Sequence, residues 1–267
     1  MQAKEMTSSS ELEQYRVFAE VLADASGEVI RRYFRTAVNI DSKQDDSPVT
    51  IADREAEQKI RTMLEQKFPD HGIQGEEFGL SNPDAPYRWI IDPIDGTKSF
   101  MIGRPIFGTL IALTYQGKPV LGVIDQPIAR ERWVGLNGTP MTFNGKRAGV
   151  RPCKKLADAV ICTTAPELFA APDLKAFNRV VEKGRYVNYG GDCYSYGLLA
   201  MGLVDIVIET GLKPHDYCAL APVVKSAGGV FVDWQGKEVN LQATGSVIAL
   251  GDKSLLPEIL SLLENSQ

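Results

Sequence analysis

The run Trp89-Ile90-Ile91-Asp92-Pro93-Ile94-Asp95-Gly96-Thr97 constrains this chain more than any other stretch. Its apolar opening, Trp89-Ile90-Ile91, reads as a short buried strand. The strand ends in one acid, and a second acid follows three residues later. Two carboxylates at one strand terminus repel each other, so the arrangement asks for positive charge. Pro93 fixes φ in the turn between them, and Gly96 lets backbone approach a ligand closely. A helix starting near Asp95-Gly96-Thr97 would set free N–H groups and the positive end of its dipole beside the acids. Acids that hold a hard cation next to an anion-binding helix start describe a Mg²⁺–phosphate site. The plain alternative is a polar turn capped by two aspartates, and the order strand, Pro, Gly, Thr argues against it.

Composition narrows the rest. The chain has 267 residues, 44% of them hydrophobic, which suits one large domain or two fused subdomains with a core that needs no staples. A formal net charge of −5 makes nucleic acid and anionic membrane surfaces poor partners. His71 and His215 are the only histidines, so a His-rich metal cage is excluded and polar chemistry falls to carboxylates. Cys153, Cys162, Cys193 and Cys218 show no C-x-x-C spacing and read as free thiols in a reducing compartment. The opening MQAKEMTSSS lacks an apolar core, unlike a secretory signal. A cytoplasmic protein is expected, or one of an organelle stroma where a transit peptide has been removed.

Along the chain, Ser10 and Glu13 form a capping box before a helix over roughly 11–35. A polar stretch, DSKQDDS, follows. Ser47-Pro48 reads as the N-cap and first position of a second helix, which Pro69 stops. Glycines 72, 75 and 79 punctuate the next segment. Strands are expected at 109–114, 120–124 and 132–134, so the middle looks like an antiparallel sheet. Beyond about residue 150, strands at 159–163, 186–189, 205–209, 230–233 and 246–250 alternate with helices at 173–183, 193–202, 216–226 and 253–264. The expectation is a single domain of two intimately packed subdomains that meet near residue 150.

Other segments join the first. Val49-Thr50-Ile51-Ala52-Asp53, Gly75-Glu76-Glu77, the DPIDGT of residues 92–97, and Asp216-Tyr217-Cys218-Ala219 with Pro222 and Ala227-Gly228-Gly229 stand in this order. Together they resemble the signatures of the inositol-monophosphatase-like family of Mg²⁺-dependent, lithium-sensitive phosphatases. That resemblance implies an α/β fold, a layered α/β/α/β/α sandwich, usually as a homodimer. It implies two or three Mg²⁺ ions and a small-molecule phosphate ester as substrate. Glu76 and Asp92, with the backbone carbonyl of Ile94, would hold one ion, and Asp92, Asp95 and Asp216 another. Gly96 and Thr97 would hold the phosphate through backbone N–H groups. The Thr97 hydroxyl, Asp53 and Glu76 would orient and activate the attacking water. Glu77 is either an acid beside these ligands or a ligand of a third ion. Taken singly, Glu76 reads as a solvated charge, and Asp53 and Asp216 as first-turn acids favoured by a helix dipole.

The substrate is read from Gly190-Gly191-Asp192-Cys193-Tyr194 and from Glu209. By the resemblance, Gly191, Asp192, Glu209 and Asp216 face the leaving group, and inositol phosphatases usually carry a small neutral residue where Asp192 stands. An added carboxylate suits a cationic leaving group, unless Asp192 merely caps the following helix. Gly211-Leu212-Lys213-Pro214-His215-Asp216 also looks like the histidinol-phosphatase branch, which implies L-histidinol phosphate as substrate. Inositol monophosphate and related phosphates are the alternative substrates. A non-catalytic binder of metal or phosphate is the alternative from another class. His215 replaces a Trp common in the family. It is a packing substitute, a donor to Asp216 or a substrate contact, and packing is the expectation. His71 reads as a turn residue.

Overall fold

In the computed structural model, which describes residues 9–36, 40–42 and 48–264, two β-sheets alternate with three layers of helix. The outer layer on one side is α1 (Ser9–Tyr33) with α2 (Ile51–Lys67). Tyr15, Ala19, Leu22 and Ile30 recur on one face of α1 and are buried, as are Ala52, Ala56, Ile60 and Leu64 of α2, so each helix spends its apolar stripe on the sheet beneath. α1 starts one residue before Ser10, which therefore lies inside the helix and is not its cap. Between the helices, β1 (Ile40–Ser42) pairs with β2 (Pro48–Thr50), so the second helix begins at Ile51 and not at Pro48. Pro48 opens a two-stranded ribbon, a place where a missing N–H is tolerated. Ser47 and most of the polar stretch lie outside the described residues.

The first sheet follows: β3 (Gly72–Gly75), β4 (Gly79–Ser81), β5 (Tyr87–Asp95), then, after α3 (Thr97–Met101), β6 (Gly108–Tyr115), β7 (Lys118–Gln126), β8 (Glu131–Leu136), β9 (Thr142–Phe143) and β10 (Lys146–Arg147). Its spatial order is β10-β9-β8-β7-β6-β5-β3-β4. The sheet is antiparallel except at β3, which runs parallel to β5, a strand that the glycine pattern conceals. Gly72 and Gly75 sit where a Cβ would lie 2.8 Å from the Asn82 carbonyl and 1.9 Å from a Glu57 carboxylate oxygen. They mark close approach within a strand, not a break in it.

The second sheet, in the order β12-β11-β13-β15-β14, is built from β11 (Val160–Thr163), β12 (Tyr186–Tyr189), β13 (Ile206–Glu209), β14 (Val230–Asp233) and β15 (Val247–Leu250), with α4 (Ala171–Val181), α5 (Asp192–Ala200), α6 (Pro214–Tyr217), α7 (Leu220–Ser226) and α8 (Leu256–Glu264) between and after them. α5 and α7 lie between the sheets, and α4 packs with α8 on the far side. The layering is thus α/β/α/β/α. The helix expected over 216–226 is two short helices. Pro222 is the third residue of α7, where its missing N–H is harmless, but continuing the helix upstream would drive its ring into the Cys218 carbonyl. α7 then packs tightly on the first sheet: a Cβ on Gly122 would lie 2.0 Å from the Ala219 oxygen, and one on Gly135 2.4 Å from the Pro222 oxygen. The four cysteines are free and buried. No described helix is long and apolar enough to cross a membrane.

Candidate active site

β5 supplies the first two acids. Trp89, Ile90 and Ile91 are at most 1% exposed, which fixes the strand between β3 and β6. Side chains of a regular strand alternate, so residues three apart face opposite ways. The β5–β6 register instead slips between Asp92, opposite Leu110, and Asp95, opposite Gly108. The cause is local. Pro93 has no N–H to give, and the Ile94 N–H turns back to the Asp92 carboxylate at 3.1 Å. The resulting bulge aims Asp92 and Asp95 the same way. Gly96 then takes φ of 87°, and α3 starts at Thr97 with N–H groups that no earlier turn can satisfy. The Thr97 hydroxyl donates to the Ile94 carbonyl at 3.0 Å, which leaves that oxygen a second lone pair.

Other elements bring acids to the same place. The parallel pairing of β3 with β5 sets Gly75 beside Ile91, and Glu76 follows, its N–H on the Ile91 carbonyl at 3.2 Å. Asp53 enters from the first turn of α2, 1% exposed. Asp216 sits on α6, its carboxylate accepting the Lys213 N–H at 2.6 Å. Side-chain ligand atoms gather in three overlapping groups, each within 4.8 Å: Asp92 with Asp95 and Asp216; Asp53 with Glu76 and Glu77; and Glu76 and Asp92 with His215. His215 is the surprise. Packing was the expectation, yet its Nε2 lies 3.6 Å from Asp216, on the rim of the carboxylate cluster. Its position next to Asp216 in a one-turn helix was the signal available in the sequence.

Burial and mutual repulsion govern the electrostatics. The Asp92 carboxyl is pushed well up, first by burial and then by Glu76, Asp95, Asp216 and Asp53. Asp95 is pushed well up by burial and by Asp192 and Asp216, against the Cys193 N–H that donates to it at 2.6 Å. Asp216 is raised by burial, with His215 opposing. Hard carboxylate oxygens at this density, converging from four elements, fit Mg²⁺. They do not fit a thiophilic metal.

Beyond the acids lies a cavity of about 120 Å³ lined by Asp95, Thr164, Phe169, Asp192, Tyr196, Glu209 and Asp216 among others. Gly191, at φ of 117°, and Asp192, at φ of 43°, form its turn. A Cβ on Gly96 would lie 2.7 Å from the Asp192 carboxylate. Asp192 does not cap α5. It is the first residue of the helix, and its carboxylate accepts instead from the Ser99 hydroxyl at 3.3 Å. Burial raises it, against Ser99, Arg104 and Lys98. Glu209 ends β13 and is held by the Thr164 N–H and hydroxyl and by the Tyr196 hydroxyl at 2.8 Å. Burial pushes its carboxyl up to about 7. Glu209 joins none of the three ligand groups but lines the same cavity as Asp95 and Asp216. Thr164 and Tyr196, its holders, carry no pattern visible in the sequence. A wider groove between Asn137–Pro140 and Lys225–Gly228 contains no acid.

The description "Inositol monophosphatase family" matches residues 11–267. The chain belongs to the inositol monophosphatase family. It is 49% identical over 266 residues, 96% of this chain and 77% of the relative, to a protein of Arabidopsis thaliana named bifunctional phosphatase IMPL2, chloroplastic. It is 36% identical over 230 residues, 85% of this chain and 89% of the relative, to a histidinol-phosphatase of Chlorobaculum parvum. An inositol monophosphatase structure from Zymomonas mobilis superposes with a TM-score of 0.89 at 47% identity, over 97% of this chain and all of that one. Family membership makes the chain a phosphatase of small phosphate esters, in a family that depends on Mg²⁺.

Proposed function

We propose that this chain is a Mg²⁺-dependent phosphomonoesterase that hydrolyses L-histidinol phosphate to L-histidinol and phosphate. The observation that carries the substrate is the pair of acids, Asp192 and Glu209, lining a cavity that also reaches Asp95 and Asp216. A neutral polyol can only donate hydroxyl hydrogen bonds to these carboxylates, whereas an ammonium or imidazolium also neutralises their charge. Such a cation would also draw Glu209 back down from about 7 into its ionised form. The histidinol-phosphatase relatives support the same reading.

Glu76, Asp92, the Ile94 carbonyl, Asp95 and Asp216 would hold two ions, and Asp53, Glu76 and Glu77 a third. Mg²⁺ bound there supplies Lewis-acid charge for phosphoryl transfer to water. The backbone N–H groups of Gly96 and Thr97 hold phosphate oxygens at the start of α3. The Thr97 hydroxyl, its proton committed to Ile94, is left as an acceptor that orients the water. Asp53 and Glu76 are the acids placed to take the water's proton. The cavity walls hold the departing alcohol. The same reading takes the chain as one domain of two subdomains, acting as a homodimer. It works in the cytosol or, as the name of the Arabidopsis relative suggests, in a plastid stroma.

Phosphate release in Mg²⁺ across histidinol phosphate, inositol 1-phosphate, a nucleotide 3′,5′-bisphosphate and fructose 1,6-bisphosphate tests the assignment. The expected result is the highest kcat/KM on histidinol phosphate; equal or higher values on inositol 1-phosphate overturn the substrate, and no turnover on any points to a binder. Asp92→Asn should cut phosphate release by at least about a hundredfold with an unchanged circular-dichroism spectrum.

A further inference from the structure

The Glu76–Glu77 loop is held by groups that belong to no ligand set. Asp53, Glu57 and Arg61 recur every fourth residue and so share one face of α2. All are buried: Asp53 1%, Glu57 0% and Arg61 6% exposed. Only Asp53 reaches the acid cluster. Glu57 instead accepts the Glu77 N–H at 2.7 Å and the Phe78 N–H at 3.2 Å. Its Oε1 also takes the Arg61 Nε at 2.7 Å, and Arg61 reaches on to the Gly79 carbonyl. Gly75 closes the ring, because a Cβ there would lie 1.9 Å from Glu57. The segment that projects Glu76 and Glu77 is therefore wrapped around one buried carboxylate. Arg61 balances that carboxylate's charge.

We infer that Glu57, braced by Arg61, is the positioning residue for the Glu76 and Glu77 carboxylates. It sets the affinity of the Asp53–Glu76–Glu77 group for Mg²⁺ while binding no ion itself. Its oxygens are spent on the loop backbone, and it appears in none of the three ligand groups. Groups that orient metal ligands from behind tune metal affinity. Without Glu57, two loop N–H groups and a buried guanidinium lose their acceptor, and the loop is free to carry Glu76 and Glu77 away from Asp53.

The inference rests on the Mg²⁺-dependent reading of the site, so its test separates the two. Mg²⁺ binding to the metal-free full-length chain is measured by titration calorimetry, beside the Mg²⁺ dependence of phosphate release, for the parent and for Glu57→Gln. At least one Mg²⁺ site of the variant should weaken about tenfold or more, and the Mg²⁺ concentration for half-maximal activity should rise in step. The kcat at saturating Mg²⁺ should recover to near the parental value. Arg61→Lys, which keeps the charge and loses the Gly79 contact, should shift both readings the same way by less, and it stands in if Glu57→Gln does not fold. A variant with parental Mg²⁺ affinity and only a lower melting temperature overturns the inference and leaves Mg²⁺ dependence intact. A parent chain that binds no Mg²⁺ overturns both.

Discussion

At the residue scale the decisive feature is how one side chain type serves three ends. Asp92 and Asp95 converge because Pro93 withholds an N–H and the strand bulges. Glu57 spends its oxygens on a loop, and Glu209 on Thr164 and Tyr196. Asp192 is the acid best placed to choose the substrate, since only Ser99 is bonded to it among the described side chains. Asp192→Ala should raise KM for an amine-bearing phosphate by about tenfold or more, and KM for inositol 1-phosphate by much less; equal effects would make the residue structural. Glu209 titrates near 7, and its ionised form is the one that pairs with a cation. KM for the amine substrate should therefore fall as pH rises through about 7, and Glu209→Gln should flatten that profile.

At the scale of elements, the fold was legible wherever one segment's own pattern decides its state. The long periodic helices, the apolar run of β5 and the alternating second half were all readable. Boundaries shifted where a proline acts through a neighbour: Pro48 opens β2, and Pro222 separates α6 from α7. β3 escaped notice because its glycines answer to Glu57 and Asn82, residues distant in sequence. His71 is a turn residue as read, but its ring does more. It stacks on Phe68 and Tyr87, with centroids 4.9 and 5.0 Å away, and its Nδ1 accepts the Trp89 indole N–H at 3.1 Å, tying the α2–β3 turn to β5. Burial lowers its pKa. The unfolded chain then binds a proton below about 6.5 that the native ring resists, so stability is present at neutral pH and lost as pH falls. His71→Phe should cost about 1 kcal/mol at pH 7 through the lost indole bond and show a shallower loss of stability on acidification. Parallel pH–stability curves for the two proteins would refute this.

At the scale of the whole molecule, the layers pay for a repulsive centre. Burial raises Asp92, Asp95, Asp192 and Asp216 from the ordinary aspartate value. For groups raised in the native state, the stabilising contribution is present below the unfolded pKa and disappears as pH rises through the native one. The metal-free protein should therefore lose stability through this cluster as pH rises above about 4, the ordinary aspartate value. Mg²⁺ should raise the melting temperature by mass action, by more at the higher pH. A Mg²⁺-induced shift that is absent, or that shrinks with rising pH, would contradict the reading of these acids as a cation site.

The sequence by itself determined the acid set and the alternation of elements, while the layering came from the family those motifs resemble. An apolar strand ending in D-x-x-D, with three further acid-bearing motifs in fixed order, specifies carboxylates that need a hard cation. Those are properties of local order, which a sequence carries directly. Tertiary structure decided what surrounds those acids. It placed His215 at the rim, set Asp192 in the cavity wall and not as a cap of α5, and stood Glu57 behind the Glu76–Glu77 loop. Each of these depends on contacts between residues tens of positions apart, and such contacts follow from how sheets and helices pack and not from any spacing along the chain.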